Sequence, residues 1–403
     1  MKQLSQTEHA LAARIDQPAM LAQTEAWCAI NSGTGNLAGL GRQANALVEA
    51  FAALPGEIEL REPGPVIAVD SAGREIASEH GRHLVLRVRP QAERRLLLTG
   101  HMDTVFPADH PFQEGEWLDD DVFNAPGAAD MKGGIAVILH ALAAFEQSEA
   151  AARVGYDVMI NSDEETGSRS SAPLIAELAR GKFAALTYEP SALPDGTLAH
   201  ARGGSGNYSL IVTGRSAHAG RNPDEGRNAV VAASALAVAL KAMSHSDMSV
   251  NPARIEGGSA NNVVPDHAVL RFNIRPRTAE AAEAFKRDVR ALIDDVASGH
   301  EVRIGLHGGI TRPPKPVDAR AQKLFDLVAD ASEALGRKLG WQASGGVCDG
   351  NNIAACGVPV VDTMGVRGGA IHSPHEYMIA SSLSERAALS AVVLHRLATG
   401  DLF

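Results

Sequence analysis

The apolar runs of this 403-residue chain keep one rhythm up to about Glu189 and another from Tyr208 onward. That change restricts the fold more than any single motif. In the first stretch, strand-like runs alternate with helical patterns: HLVLRVRP, RRLLLTG, the helix KGGIAVILHALAAFEQ, YDVMINS, the helix SAPLIAELARG, then FAALTYEP. Such alternation predicts a mostly parallel sheet flanked by helices. The second stretch reads strand NYSLIVTG, helix AVVAASALAVALKAM, strands ARIEGG and AVLRFNIRP, helix AEAFKRDVRALIDDVA and strand EVRIGLHG. This β-α-β-β-α-β order is ferredoxin-like. After RPPKPVD the first rhythm resumes. The expected architecture is an α/β domain of residues 1–202 and 315–403, interrupted by a small α+β domain at 203–314; a chain this long suits two domains.

Composition narrows the function classes. A formal charge of -11 argues against a nucleic-acid or anionic-membrane partner, because phosphates need a basic face. Cys28, Cys348 and Cys356 show no paired spacing, which favours a reducing cytoplasm over a disulfide framework. The start, MKQLSQTEHALAARIDQPAM, has no apolar core of a signal peptide, and no run reads as a membrane span. The expectation is a cytoplasmic protein that works on a small molecule.

Polar residues recur wherever a strand of the first stretch ends. His101 and Asp103 follow RRLLLTG, Asp130 lies in FNAPGAADMKGG ahead of a helix, Glu164 and Glu165 follow YDVMINSD, and Glu189 follows FAALTY. In open α/β sheets the carboxyl ends of strands converge on one crevice. Carboxylates that share a small volume raise each other's pKa unless a cation neutralises them. An imidazole with several carboxylates suits zinc, and a carboxylate between two ions suits a dinuclear hydrolytic site. Taken singly, each residue reads equally well as a turn, a helix start or a solvated loop; their recurrence at successive strand ends favours the site.

The segments GHMDTV, APGAADMKGG, SDEETGS, YEPS, GRSAHAG and IHSPHEY occur in this order over nearly the whole chain. Together they resemble the aminoacylase/carboxypeptidase family of dinuclear zinc amidohydrolases, which includes acetylornithine deacetylases and succinyl-diaminopimelate desuccinylases. SGTGN and SGGVCDGNN bring the chain closest to the bacterial glutamate carboxypeptidase branch. The resemblance implies a zinc-peptidase α/β domain with a ferredoxin-like lid that forms a homodimer, and two Zn2+ per subunit, with Co2+ or Mn2+ as alternatives. It also implies roles: His101, Asp130, Glu165, Glu189 and His372 as metal ligands, with His372 chosen over His375 by its distance from Glu376 in the motif. Asp103 is the carboxylate that fixes the His101 ring, and Glu164 is the general base. His218 reaches the partner's site and stabilises the oxyanion. Asn262 and Arg275 match substrate-carboxylate contacts, and Gly346 and Asp349 match a glycine-rich loop near the metals. Cys348 stands where that branch carries a small hydroxyl residue, and Arg202 receives no role. The implied reaction is release of a C-terminal, glutamate-type amino acid from an N-acyl or peptidyl substrate. N-acyl amino acid deacylation is the alternative.

Overall fold

The computed structural model describes residues 3–400 and 402. The chain forms two compact units, one comprising the chain up to Gly64, Glu79–Ala201 and the chain from Val317 onward, the other comprising Pro65–Ser78 and Arg202–Pro316.

The first unit is built on a six-stranded sheet in the order Glu57–Arg61, His83–Val88, Gly155–Asn161, Arg95–His101, Ala184–Thr187, Val360–Val361. The last four run parallel, while His83–Val88 is antiparallel to both of its neighbours. These strands read as continuous apolar runs because both faces are covered. Alternate residues go to opposite sides: Leu84, Leu86, Leu96, Leu98 and Val158 join one core, and Val85, Leu97 and Met159 join the other. The larger core takes in the helices Leu37–Phe51, Gly133–Phe145, Ala319–Ala334 and Ser382–Thr399, and the smaller takes in Ala172–Ala179. Each such leucine or valine contributes about 1.5–3 kcal/mol through burial.

Against the expectation that no run reads as a membrane span, segment Ala128–Phe145 has the length and apolarity of one, yet 89% of it is buried inside the protein. Its helix, Gly133–Phe145, is apolar on nearly every side because it is a core helix, packed against Ser382–Thr399 on one side. At its N-terminus, a Cβ on Gly134 would fall 2.1 Å from the Tyr188 carbonyl oxygen. Glycine there lets the helix start approach the end of strand Ala184–Thr187.

The second unit holds a four-stranded antiparallel sheet in the order Met248–Gly257, His267–Pro276, Ser205–Thr213, Arg303–Arg312. Numbered along the chain, that is the ferredoxin-like arrangement 2-3-1-4. One face packs on the helices Ala229–Ala242 and Ala279–His300 through Tyr208, Leu210, Phe272, Ile274, Leu236 and Phe285. Tyr208 and Phe272 stack at 5.1 Å between ring centroids. The hairpin Val66–Val69/Glu75–Ser78 is tied to this unit by Arg271, whose Nη2 donates to the Val69 and Asp70 carbonyls at 2.9 and 3.0 Å.

Candidate metal centre

Parallel register brings the carboxyl ends of three strands together: His101 lies beside Asn161, and Thr99 beside Thr187. His101 ends its strand, Glu164 and Glu165 form a single helical turn after Gly155–Asn161, and Glu189 follows Ala184–Thr187 by two residues. Asp130 sits in the irregular turn Ala128–Lys132 that opens helix Gly133–Phe145, and its peptide bond to Met131 is cis. His372 occupies the loop between Gly368–Gly369 and Tyr377–Ile379. Tyr377–Ile379 also pairs with Val122–Asn124. One small sheet therefore carries the His372 loop and leads into the Asp130 turn.

The side chains converge. His101 Nε2 is 3.0 Å from Asp130 Oδ1 and 3.7 Å from Glu189 Oε2. His372 Nε2 is 3.2 Å from both Asp130 Oδ2 and Glu165 Oε2. The two Asp130 oxygens thus face different imidazoles. Donor atoms of His101, Asp130 and Glu165 lie within 4.8 Å of one another. A tetrahedral ion with bonds of about 2.0–2.2 Å sets its donors roughly 3.3–3.6 Å apart, close to these spacings. Glu189 Oε1 is buried with no hydrogen-bond partner among the described residues, which is costly for a carboxylate unless a cation meets it. The donor set fits divalent metal.

Charge is crowded here. Burial pulls the His101 imidazole down, but hydrogen bonds to Asp103, Asp130 and Glu189 hold it well above its usual value. Hydrogen bonds to Asp130 and Glu165 raise His372 to about 11. Burial raises Asp130, yet hydrogen bonds from the two imidazoles hold it well below the usual carboxylate range. Burial and the Asp130 charge push Glu165 up to about 7, and burial raises Glu189.

Asp103 meets the His101 ring with both its carbonyl and its carboxylate. His101 Nδ1 lies 3.0 Å from the Asp103 backbone carbonyl and 3.4 Å from its carboxylate Oδ1. A carbonyl only accepts, so Nδ1 carries a proton and Nε2 is the nitrogen that meets Asp130 and Glu189. The carboxylate also accepts the Glu164 N–H at 3.1 Å, the Glu165 N–H at 3.2 Å and the Thr34 hydroxyl at 2.8 Å. It fixes the turn that bears both glutamates. Asp349 is buried and accepts from Ser168 Oγ at 2.6 Å and from Asn161 Nδ2. These bonds brace the segment on either side of the Glu164–Glu165 turn. Gly346 is exposed, its N–H donating to Ser344 Oγ at 3.1 Å.

Glu376 was missed as a site residue and served only to choose between His372 and His375. Its Oε1 accepts the N–H groups of Ala129 and Asp130, each at 3.0 Å, and so holds the Asp130 turn. Burial and the Asp130 charge raise its carboxyl to about 8. The signal available was IHSPHEY itself, which carries the glutamate beside the ligand.

The other expected residues lie in the second unit. The short ladder Ala217–His218/Val263–Val264 brings His218 and Asn262 together, with the Asn262 carbonyl accepting from the Ala219 N–H at 2.9 Å. His218 Nδ1 accepts from Gly220 and Arg221 N–H at 3.1 and 3.2 Å, so the neutral ring carries its proton on Nε2. Arg275 is exposed on strand His267–Pro276.

Residues 97–396 match the model of peptidase family M20/M25/M40. The chain belongs to this family. It is an M20 hydrolase of the metallopeptidase and amidohydrolase type. Over 402 residues it is 30% identical to carboxypeptidase G2 from Pseudomonas sp. (strain RS-16), spanning 96% of this chain and 92% of that one. Succinyl-diaminopimelate desuccinylase from Ectopseudomonas mendocina is 29% identical over 64% of this chain and 70% of its own. A dinuclear metal-binding peptidase of the M20 family from Bacillus subtilis shares the fold, with a TM-score of 0.65 at 15% identity over 94% of this chain and 97% of that one. In this chain a His/Asp/Glu cluster of His101, Asp130 and Glu165 has the spacing to hold a metal ion.

Proposed function

We propose that this M20 hydrolase is a dinuclear zinc carboxypeptidase that releases a C-terminal amino acid, glutamate-type by preference, from N-acyl or peptidyl substrates. The observation that carries the reading is the Asp130 carboxylate, one oxygen toward His101 and the other toward His372. His101, Asp130 and Glu189 would hold one ion, and His372, Asp130 and Glu165 the other. Bound there, zinc supplies polarisation of the scissile carbonyl and a water of lowered pKa, and Co2+ or Mn2+ can do the same. Glu164, its backbone fixed on Asp103, takes the proton of the attacking water and passes it to the leaving amine. His218 donates from Nε2 to the oxyanion that forms on the substrate. In this reading that histidine comes from a second copy of the chain in a homodimer. Support comes from helix Ala229–Ala242, where Val231 and Val238, two turns apart, are 51% and 75% exposed. Arg275 and Asn262 hold the substrate's α-carboxylate, which sets the direction of cleavage. The free thiols Cys28, Cys348 and Cys356 support a cytoplasmic setting.

The test is hydrolysis of N-acyl and N-aroyl amino acids against the matching α-amides. Free acids should be cut far better, and Arg275→Ala should lower kcat/KM for them by ~10-fold or more, as loss of a charge-assisted pair implies. Equal cleavage of α-amides sinks the carboxypeptidase reading. The likeness to succinyl-diaminopimelate desuccinylase favours a second reading, N-acyl amino acid deacylation. It replaces the first if N-acetylornithine or N-succinyl-diaminopimelate far outruns every N-acylglutamate.

A further inference from the structure

The open face of the second unit's sheet carries polar side chains whose bonding sorts them by task. Residues alternate across a strand, so Phe272 and Ile274 enter the core while Arg271, Asn273 and Arg275 share the opposite face. Arg271 is committed to structure. Its Nε donates to Glu256 Oε2 at 2.8 Å, Nη1 to Ser209 Oγ at 3.2 Å, and Nη2 to the Val69 and Asp70 carbonyls. Arg275 is bonded at one point, Nε donating to Asn273 Oδ1 at 2.9 Å. Its two Nη groups bond to no described residue.

Asn273 is itself locked. Its Nδ2 lies 2.8 Å from Asn207 Oδ1, 3.0 Å from the Gly206 carbonyl and 3.2 Å from Ser205 Oγ. Acceptors on one side and an arginine N–H on the other decide which end of the amide is oxygen. Asn207 and Asn273 are direct cross-strand partners, so the brace is built into the register of the sheet.

We infer that Asn273, braced by Asn207, is a positioning residue that presents the Nη1/Nη2 edge of Arg275 end-on to a free substrate α-carboxylate. This rests on the carboxypeptidase reading and adds the atoms that do the binding. A side-on pair would need Nε–H, which Asn273 already occupies. An exposed arginine also loses rotamer freedom whenever it grips a ligand, and tying Nε beforehand removes part of that cost.

The experiment measures kcat and KM for N-benzoylglutamate and its α-carboxamide in the wild type, Arg275→Ala, Asn273→Ala and the near-isosteric Asn273→Asp. In Asn273→Ala the ratio of free-acid to amide kcat/KM should fall ~10-fold, carried by KM for the free acid. Asn273→Asp should also lose the ratio, because its carboxylate neutralises Arg275 and repels that of the substrate. A ratio abolished in Arg275→Ala but kept in Asn273→Ala overturns the positioning role and leaves the carboxypeptidase reading standing. If Asn273→Ala is inactive on both substrates, Asn273→Asp decides, and a retained ratio there overturns the role. A wild type with no preference for the free acid overturns reading and inference together.

Discussion

Two imidazoles share the Asp130 carboxylate, and Glu165 and Glu189 stand against them with more negative charge than two protons can balance. The turn that presents Asp130 is held from behind by Glu376. Partners behind a ligand commonly govern metal affinity by 10–100-fold. Glu376→Ala should therefore weaken zinc retention by ~10–100-fold in competition with a chelating dye, and Glu376→Gln, which keeps an acceptor oxygen, should lose less. Wild-type affinity in Glu376→Ala would mean that the turn holds itself. At this scale the sequence was informative where a polar residue ended an apolar run, as at His101 and Glu189. It marked Glu376 only as a point of spacing in IHSPHEY, because a motif does not say which backbone N–H groups a carboxylate meets. It assigned the Asp103 carboxylate to the His101 ring and not the backbone carbonyl that lies nearer, since both belong to one residue.

Elements were readable where both faces or one stripe are buried, and less so where long-range pairing decides. Strand His83–Val88 announces itself by its apolar run, but its antiparallel direction comes from pairing with Glu57–Arg61 and Gly155–Asn161. The N-terminal helix Gln6–Ala12 is capped by Ser5 and fastened by Glu8, whose Oε1 accepts from Arg396 Nε of helix Ser382–Thr399 at 2.6 Å. Burial raises the Glu8 carboxyl, but the Arg396 guanidinium and the Ser5 N–H and hydroxyl pull it below its ordinary value of 4.5. A depressed carboxylate stabilises the fold above its unfolded pKa, and that stability is lost as pH falls through the folded value. Arg396→Met should thus cost roughly 1.5–3 kcal/mol at pH 7. The gap from the wild type in urea unfolding should narrow below about pH 4.5. A gap that is constant down to pH 3 would assign the loss to packing.

For the whole molecule, the change of rhythm in the sequence marks the ferredoxin-like strand order that the second unit shows. The hairpin at 65–78 had no such mark. Its strands are four residues each, and its attachment depends on Arg271, some two hundred positions away. Whether the strand ends of the first unit form a dinuclear catalytic centre is decided by zinc content and turnover measured on one preparation, by mass spectrometry and N-acylglutamate hydrolysis. Two ions per chain are expected, with activity lost on chelation and regained with zinc. Glu164→Gln should keep both ions while turning over at least ~10²-fold more slowly, the low end for general acid–base catalysis. Full activity in metal-stripped protein or in Glu164→Gln would contradict the mechanism.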